Sequence, residues 1–363
     1  MYVSRTQYVR YLQGYSSMLG VDVRLKHTVT SATRPPGPAL GSDRWEVTVR
    51  IEAEDVEPVE KVYRPRVLVV ANGMFNNPTV PEIPGLERFR GQTMHSSNYK
   101  NGREFDGKRV LVVGTGNSGC EIVCDLWEHG AKTTVHNRSP APVLPRWIIA
   151  LMQQSGYCKP GYGSTLEACE AANPQLYKAL YDRMIEWLIR QTFGDVVSAA
   201  TAGLGCDCCR DSDRHRCCEQ ESHGLQLVEG NPVRFWTEAY QAPTMDIGMI
   251  DLVKRGEVPV LSSPIVGATE TGLTFEDGTE LELDGIVFAT GYELVGGHTE
   301  WLDAELSEKL GSGLEPIFDG RIGANAAPST VEPALRFLWG NLGMIRDSAS
   351  SMASQIKEEL AAA

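Results

Sequence analysis

The sequence predicts an α/β fold with a parallel sheet, on three observations. Residues 109–136 read as strand, glycine turn, helix and strand: "RVLVV", then Gly114-Thr115-Gly116-Asn117-Ser118-Gly119, then "CEIVCDLWEHG", then "KTTVH". Two further runs, "RPRVLVVANG" at 64–73 and "DGIVFATGY" at 284–292, each carry an unbroken apolar stretch that runs into a glycine. Strands of that kind are apolar on both sides, which suits a parallel sheet covered on both faces.

The other elements follow in chain order. Tyr8, Leu12, Tyr15 and Leu19 recur at helical spacing before Gly20, which predicts an amphipathic helix. "VDVRLKHTV" and "WEVTVRIEA" alternate as strands, with a Pro/Gly/Ser loop at 35–42 between them, and a proline-rich turn follows Gly73. Leu176, Leu180, Met184, Leu188 and Phe193 mark one face of a helix, while 196–232 has no period and is expected to be irregular. "GLTFEDGTELEL" predicts a hairpin turning at Asp277-Gly278. "RFLWGN" reads as the last strand, and "DSASSMASQIKEEL" as a closing helix capped by Asp347 or Ser348.

The 363 residues are 42% apolar and 22% charged, ordinary for a globular protein long enough for two domains. The net charge is −13 and no Lys/Arg-rich run occurs. Nucleic acid and anionic membrane surfaces are therefore excluded as partners, because both require a positive footprint. No apolar run approaches the ~20 residues of a spanning helix. The first residues lack the apolar core of a secretory signal, so a cytoplasmic location is expected.

The glycine turn carries specific chemistry. In G-x-G-x-x-G after a strand, Gly114 permits the tight turn, Gly116 lets the backbone approach a diphosphate, and Gly119 lets the helix pack against the strand. The amides of 115–119, at the positive end of the helix, then face the phosphates. An NAD site places a carboxylate at the end of the second strand to take the ribose hydroxyls. Here that strand ends in His136-Asn137-Arg138-Ser139, with no carboxylate. A guanidinium at Arg138 holds a 2′-phosphate bidentately and Ser139 adds a donor, so the coenzyme is expected to be NADP(H). The competing reading of Arg138 is a solvated surface charge.

Nine cysteines are present. Cys120 and Cys124, one helical turn apart, are expected to be buried small hydrophobes. Cys206, Cys208, Cys209, Cys217 and Cys218, with His215 and His223 nearby, admit three readings: a variable loop, a zinc site, or a redox pair at Cys206 and Cys209. The spacing is not that of a zinc finger, so the loop is preferred and no metal is expected.

Immediately before the glycine unit stands "FRGQTMHSSNY", which fits F-x-G-x-x-x-H-x-x-x-[FY] through Phe89, Gly91, His95 and Tyr99. Together with Ala289-Thr290-Gly291-Tyr292 downstream, it makes the sequence resemble the flavin-containing monooxygenases, the class B flavoprotein monooxygenases. "VVANG" looks like a degenerate form of that family's earlier A-T-G strand, with Asn72 in place of Thr. "PTMDIGMIDLVKRGEVPVL" and "TFEDGTELELDGIVFATGY" look like the branch of indole-3-pyruvate monooxygenases.

The resemblance implies a fold with two dinucleotide-binding domains, a Rossmann-like NADPH domain inserted in an FAD domain. The expected division is 1–106 for the first FAD-type part, 107–285 for the NADPH domain with its Cys-rich insert at 196–232, and 286–363 for the second FAD-type part. Ala289, Thr290 and Gly291 would lie at the junction of the two domains. The family's N-terminal flavin fingerprint has no counterpart before Lys108, so the chain is expected to begin inside an incomplete FAD domain. The sequence is then either truncated or that of a shortened relative.

The resemblance further implies FAD as second cofactor and a monooxygenase that, through a flavin hydroperoxide, passes one oxygen of dioxygen to a small substrate at nitrogen, sulfur or a carbonyl. No catalytic residue is assigned, and the oligomeric state is left open. Two alternatives remain: an NADP-binding pseudoenzyme without flavin, and an NADPH-dependent thiol-disulfide oxidoreductase.

Overall fold

A computed structural model describes residues 4–34, 45–53, 56–73, 75–139, 141, 143–147, 243–293, 299–311, 329–332, 334–338 and 342–362, with Gln175, Arg183 and Leu225 singly. Of the helix expected at 176–193 only Arg183 is in this set, where it is helical, and the cysteine cluster at 206–218 lies outside it.

In chain order the elements are α1 (Arg5–Leu19), β1 (His27–Thr33), β2 (Glu46–Ala53), β3 (Val56–Tyr63), β4 (Leu68–Val70), β5 (Asn77–Pro78) and β6 (Gln92–His95). Next come β7 (Arg109–Val113), α2 (Asn117–Glu128), β8 (Lys132–His136) and β9 (Val143–Pro145). Then follow β10 (Thr244–Asp246), α3 (Met249–Lys254), β11 (Val260–Leu261), β12 (Ile265–Ala268), β13 (Gly272–Phe275), β14 (Glu280–Glu282) and β15 (Gly285–Phe288). The described chain closes with β16 (Tyr292–Glu293), α4 (Ala304–Leu310), β17 (Leu335–Phe337) and α5 (Leu342–Ala362).

The chain divides into two compact units, one formed by Met1–Pro78 with Tyr292–Ala363 and the other by Thr79–Gly291. The second is thus inserted in the first.

The inserted unit is built on a five-stranded parallel sheet in the order β11-β8-β7-β15-β6. Alternation explains its unbroken apolar strands. Val110 and Val112 of β7, with Val287 of β15, pack against α2 and α3 through Cys120, Val123, Cys124, Leu126, Leu252 and Val253. Leu111, Val113, Ile286 and Phe288 face the other way, onto Leu273 and Phe275 of the antiparallel sheet β12-β13-β14. Both faces are covered, which is why β7 and β15 are apolar at successive positions. The hairpin β13–β14 turns at Asp277-Gly278, with Gly278 at φ +85° and the Thr279 amide donating to Asp277 at 2.9 Å.

The discontinuous unit holds an antiparallel sheet β1-β2-β3, a parallel pair β4–β17 and an antiparallel pair β5–β16. Its core gathers Ala32, Trp45, Val47, Val49, Leu335 and Phe337. α1 is fixed at both ends: Ser4 and Gln7 form a reciprocal capping box, and Gly20 takes the left-handed conformation at φ +62°.

Several sequence expectations are corrected. β3 was not anticipated because Pro58 interrupts its pattern, and it is tolerated because β3 is an edge strand. The strand expected from Val21 begins at His27. The run before Gly73 is a strand only over β4, and Val69 is 41% exposed, since β17 is the one neighbour of β4 among the described residues. The closing helix starts at Leu342, which puts Asp347 inside it rather than at its cap. The apolar stripe of α1 is present, but Leu12, Tyr15 and Leu19 are exposed.

Candidate functional site: a glycine cradle at the strand switch point

From β7 the chain moves outward through β8 to β11, then returns to the opposite side of β7 as β15. The order therefore reverses between β7 and β15. In open parallel sheets ligands bind in the crevice beyond the carboxyl ends of such a pair. Gly114–Gly119 follow β7 there, and Ala289–Gly291 follow β15.

The three glycines meet different constraints. Gly114 lies at φ +107°, and a Cβ on it would stand 2.5 Å from the Ala289 carbonyl oxygen. A Cβ on Gly119 would stand 2.0 Å from the Gly114 carbonyl oxygen, which fixes how closely α2 leans on the turn. Around Gly116 nothing lies within 4 Å of such an atom. Gly116 is also the N-cap of α2 and has no side chain to satisfy the first-turn amides. The turn is thus packed at its two ends and open at its centre, as a cradle for an anion must be.

Thr115 is buried, and its carbonyl accepts the Thr244 hydroxyl at 3.0 Å. The Asn117 side chain faces away from the cradle centre: its amide donates to the Pro243 carbonyl at 3.2 Å, and its carbonyl accepts the Met245 amide at 2.8 Å. Ser118 is exposed on the first turn of α2.

The end of β8 is tied to the cradle, since the Gly114 amide donates to the His136 carbonyl at 3.0 Å. His136 is buried, and its Nε2 lies 2.9 Å from the Ser263 carbonyl. Burial, helped by the nearby Arg138 charge, keeps its pKa below the usual value. Asn137 is buried and its amide donates to Leu261 at 2.9 Å. Arg138 and Ser139 come next and are exposed, and among the described residues Arg138 has no ion-pair partner.

A groove of about 460 Å³ runs along α2 from Ser118, between that helix and Ser96, Tyr99 and Lys100. Glu121, Asp125 and Glu128 line it against Lys100 alone. Three carboxylates against one ammonium make this side of the helix net negative.

Phe89, Gly91, His95 and Tyr99 fall in the segment that forms edge strand β6, in register with β15 from Gln92 opposite Gly285 to His95 opposite Phe288. Phe89 folds over Gly91, where a Cβ would stand 2.4 Å from the ring and 2.7 Å from the Asp284 carbonyl. His95 is buried; its Nε2–H donates to the Gly291 carbonyl at 3.0 Å, and its Nδ1 accepts the Ser97 amide at 3.1 Å. Those two bonds fix the neutral tautomer, and burial depresses its pKa. His95 therefore holds the backbone after β15. Tyr99 donates to Asp125 at 2.5 Å, an acceptor shared with the Gly102 amide at 2.7 Å. Thr290 donates to the Thr79 carbonyl, and the Thr79 amide donates to Gly291 at 3.0 Å. Thr290 and Gly291 are thus bound to residue 79, and Gly291 also to His95, while the Ala289 amide donates to the Val113 carbonyl at 2.8 Å.

Sequence reasoning missed Thr244, Asp125 and the Arg109–Asp284 pair. Arg109 donates its amide and Nε to Asp284 Oδ2 at 2.8 and 3.1 Å, and Nη2 to Oδ1 at 3.0 Å, pinning the start of β7 to that of β15. The guanidinium and then the amide hold the Asp284 carboxyl down to about 2. An unfolded Asp titrates near ~3.9, so the pair stabilises the fold fully above that pH, and the contribution is lost as pH falls through about 2. Asp284→Asn should flatten the decline of melting temperature between pH ~4 and ~2; an unchanged slope would refute the assignment.

A sequence model of the family described as FMO-like, flavin-binding monooxygenase-like, matches residues 1–212. Indole-3-pyruvate monooxygenase YUCCA1 of Oryza sativa subsp. japonica is 33% identical over 291 residues, 80% of this chain and 60% of the relative. Probable indole-3-pyruvate monooxygenase YUCCA7 of Arabidopsis thaliana is 27% identical over 365 residues, 99% of this chain and 74% of the relative. The chain spans about 60% of the length of relatives such as YUCCA1. Among solved structures, cyclohexanone monooxygenase from Rhodococcus sp. Phi1 bound to NADP+ superposes with a TM-score of 0.64 at 19% identity, covering 99% of this chain and 70% of that one. Likeness at that identity shows the fold, a flavoprotein fold with two dinucleotide-binding domains. The chain belongs to the flavin-binding monooxygenase-like family.

Proposed function

We propose that the chain is an NADPH- and FAD-dependent monooxygenase, placing one atom of dioxygen on a nitrogen, sulfur or carbonyl centre of a small organic substrate. One observation carries the reading: a glycine turn at the switch point is closed at Gly114 and Gly119 and open at Gly116, and the neighbouring strand bonded to it runs on into the exposed Arg138. The first-turn amides of α2 would hold the coenzyme diphosphate, and Arg138 with Ser139 the 2′-phosphate. His95, neutral and bonded on both ring nitrogens, orients the backbone after β15 and moves no proton.

The flavin, when bound, supplies the reaction with dioxygen. Residues 1–107 hold no second G-x-G-x-x-G turn to fit its diphosphate, so the flavin's place here rests on family membership. The division into stretches 1–106, 107–285 and 286–363 belongs to the same proposal, as does the cytoplasmic location. No described helix is long and apolar enough to cross a membrane.

The test is the visible spectrum of the purified protein, followed by NADPH consumption in air and under argon. A flavin band with consumption that requires oxygen is the expected result. Tight NADPH binding without flavin would replace the reading with that of an NADP-binding protein. Consumption under argon with a disulfide acceptor would replace it with a thiol-disulfide oxidoreductase.

A further inference from the structure

We infer that Thr244 and Asn117 are positioning residues that lock the peptide plane between Thr115 and Gly116, and so aim the cradle's central N–H at the coenzyme diphosphate. The inference rests on the reading of the cradle as an NADPH site. A trans peptide is planar, with its C=O and N–H pointing in opposite directions across the plane. Thr244, 2% exposed, donates its hydroxyl to the Thr115 carbonyl at 3.0 Å. The Gly116 N–H on the other side of that plane is thereby turned away from β10. Among the described residues the Gly116 N–H donates to no carbonyl, and nothing lies within 4 Å of a Cβ on that residue, so the amide is offered to the open centre of the cradle.

Asn117 prevents the turn from rotating about this bond. Its Nδ2 donates to the Pro243 carbonyl at 3.2 Å, and its Oδ1 accepts the Met245 amide at 2.8 Å. The Pro243 carbonyl only accepts and the Met245 amide only donates, so the orientation of the side-chain amide is fixed. Two bonds from Asn117 straddle the one from Thr244. β10 is itself anchored by its parallel register with β9. A cradle held in its binding geometry before the ligand arrives avoids the cost of ordering a glycine-rich loop on binding.

The test compares two ligands that share the 2′-phosphate but differ in the diphosphate: NADP+ and adenosine 2′-monophosphate. Thr244→Val keeps the shape and removes the donor, whereas Thr244→Ser keeps the donor. Calorimetric titration of Thr244→Val should show NADP+ affinity lowered about five- to tenfold, the loss of one hydrogen bond's worth of orientation. Adenosine 2′-monophosphate should bind as in the wild type, and Thr244→Ser should restore NADP+. A general loosening of the fold would weaken both ligands together, and that result would overturn the inference, as would unchanged NADP+ affinity. Should Thr244→Val not fold, Asn117→Ala carries the same comparison with the same two outcomes. Wild-type protein that binds neither ligand would overturn the NADPH reading itself, a failure distinct from that of the lock.

Discussion

Alanine at position 119 is expected to abolish coenzyme binding and destabilise the inserted unit together, the largest effect of any single methyl group in this chain's site. The added Cβ would stand 2.0 Å from the Gly114 carbonyl oxygen and 2.9 Å from its carbon. Those atoms are backbone, so no rotamer relieves the contact. Either α2 backs away from β7 or the turn opens, and each displaces the amides of 117–119. Overpacking of this kind costs about 1–3 kcal/mol. Alanine at 116 provides the contrast: φ is −69° and nothing lies within 4 Å, so the fold accepts the methyl group. It would instead occupy the space a diphosphate needs. Thermal melts with NADP+ titrations should therefore separate the two variants. Gly119→Ala loses stability and binding, whereas Gly116→Ala loses binding at an unchanged melting temperature. Wild-type affinity in both variants would remove the cradle from the account.

Arg138→Ala should lower NADPH affinity about ten- to a hundredfold and leave NADH affinity where it was, because hydrogen bonds to a charged group are worth about 1.5–3 kcal/mol. Arg138 lies two residues beyond His136, whose carbonyl accepts the Gly114 amide, so its backbone continues directly from the strand end tied to the cradle. The groove on the other side of Ser118 is lined with carboxylates and offers a 2′-phosphate no alternative. Lysine at 138 should recover part of the preference, since it replaces a planar fork with a point charge. The preference should also shrink as salt rises, because the group is exposed. Equal loss of NADH and NADPH affinity would return Arg138 to the status of a surface charge.

In the inserted unit β7, α2, β8, β15 and the β13–β14 hairpin were legible in the sequence because their signals are local, whereas β6, β9–β12 and α3 were not. β7 and β15 show unbroken apolar runs, and the β13–β14 turn carries its own chemistry at Asp277-Gly278. Periodicity identifies residues that share a face and says nothing of what covers that face. The stripe on α1 was therefore read correctly as a stripe, yet Leu12, Tyr15 and Leu19 are exposed. Val69 was likewise expected to be covered and is not. Within the site, each glycine carries a role visible in the motif. Thr244 does not: it reaches the cradle across 129 positions of sequence, and nothing local distinguishes it from any other threonine in a strand. Asp125 is hidden in the same way. It reads as one more charge on an amphipathic helix until Tyr99 and Gly102 close on it.

β9 and β10 are parallel neighbours, with Val143 opposite Thr244 and Pro145 opposite Asp246. The chain thus leaves at 145 and rejoins beside its own point of departure almost a hundred positions later. Closing such an excursion costs only about 0.6 kcal/mol more for each doubling of its length. Evolution accordingly has wide latitude between these two strands: inserts can lengthen, shrink or change composition there while the glycine turn next door keeps its geometry, provided the dozen or so residues of a parallel crossover remain.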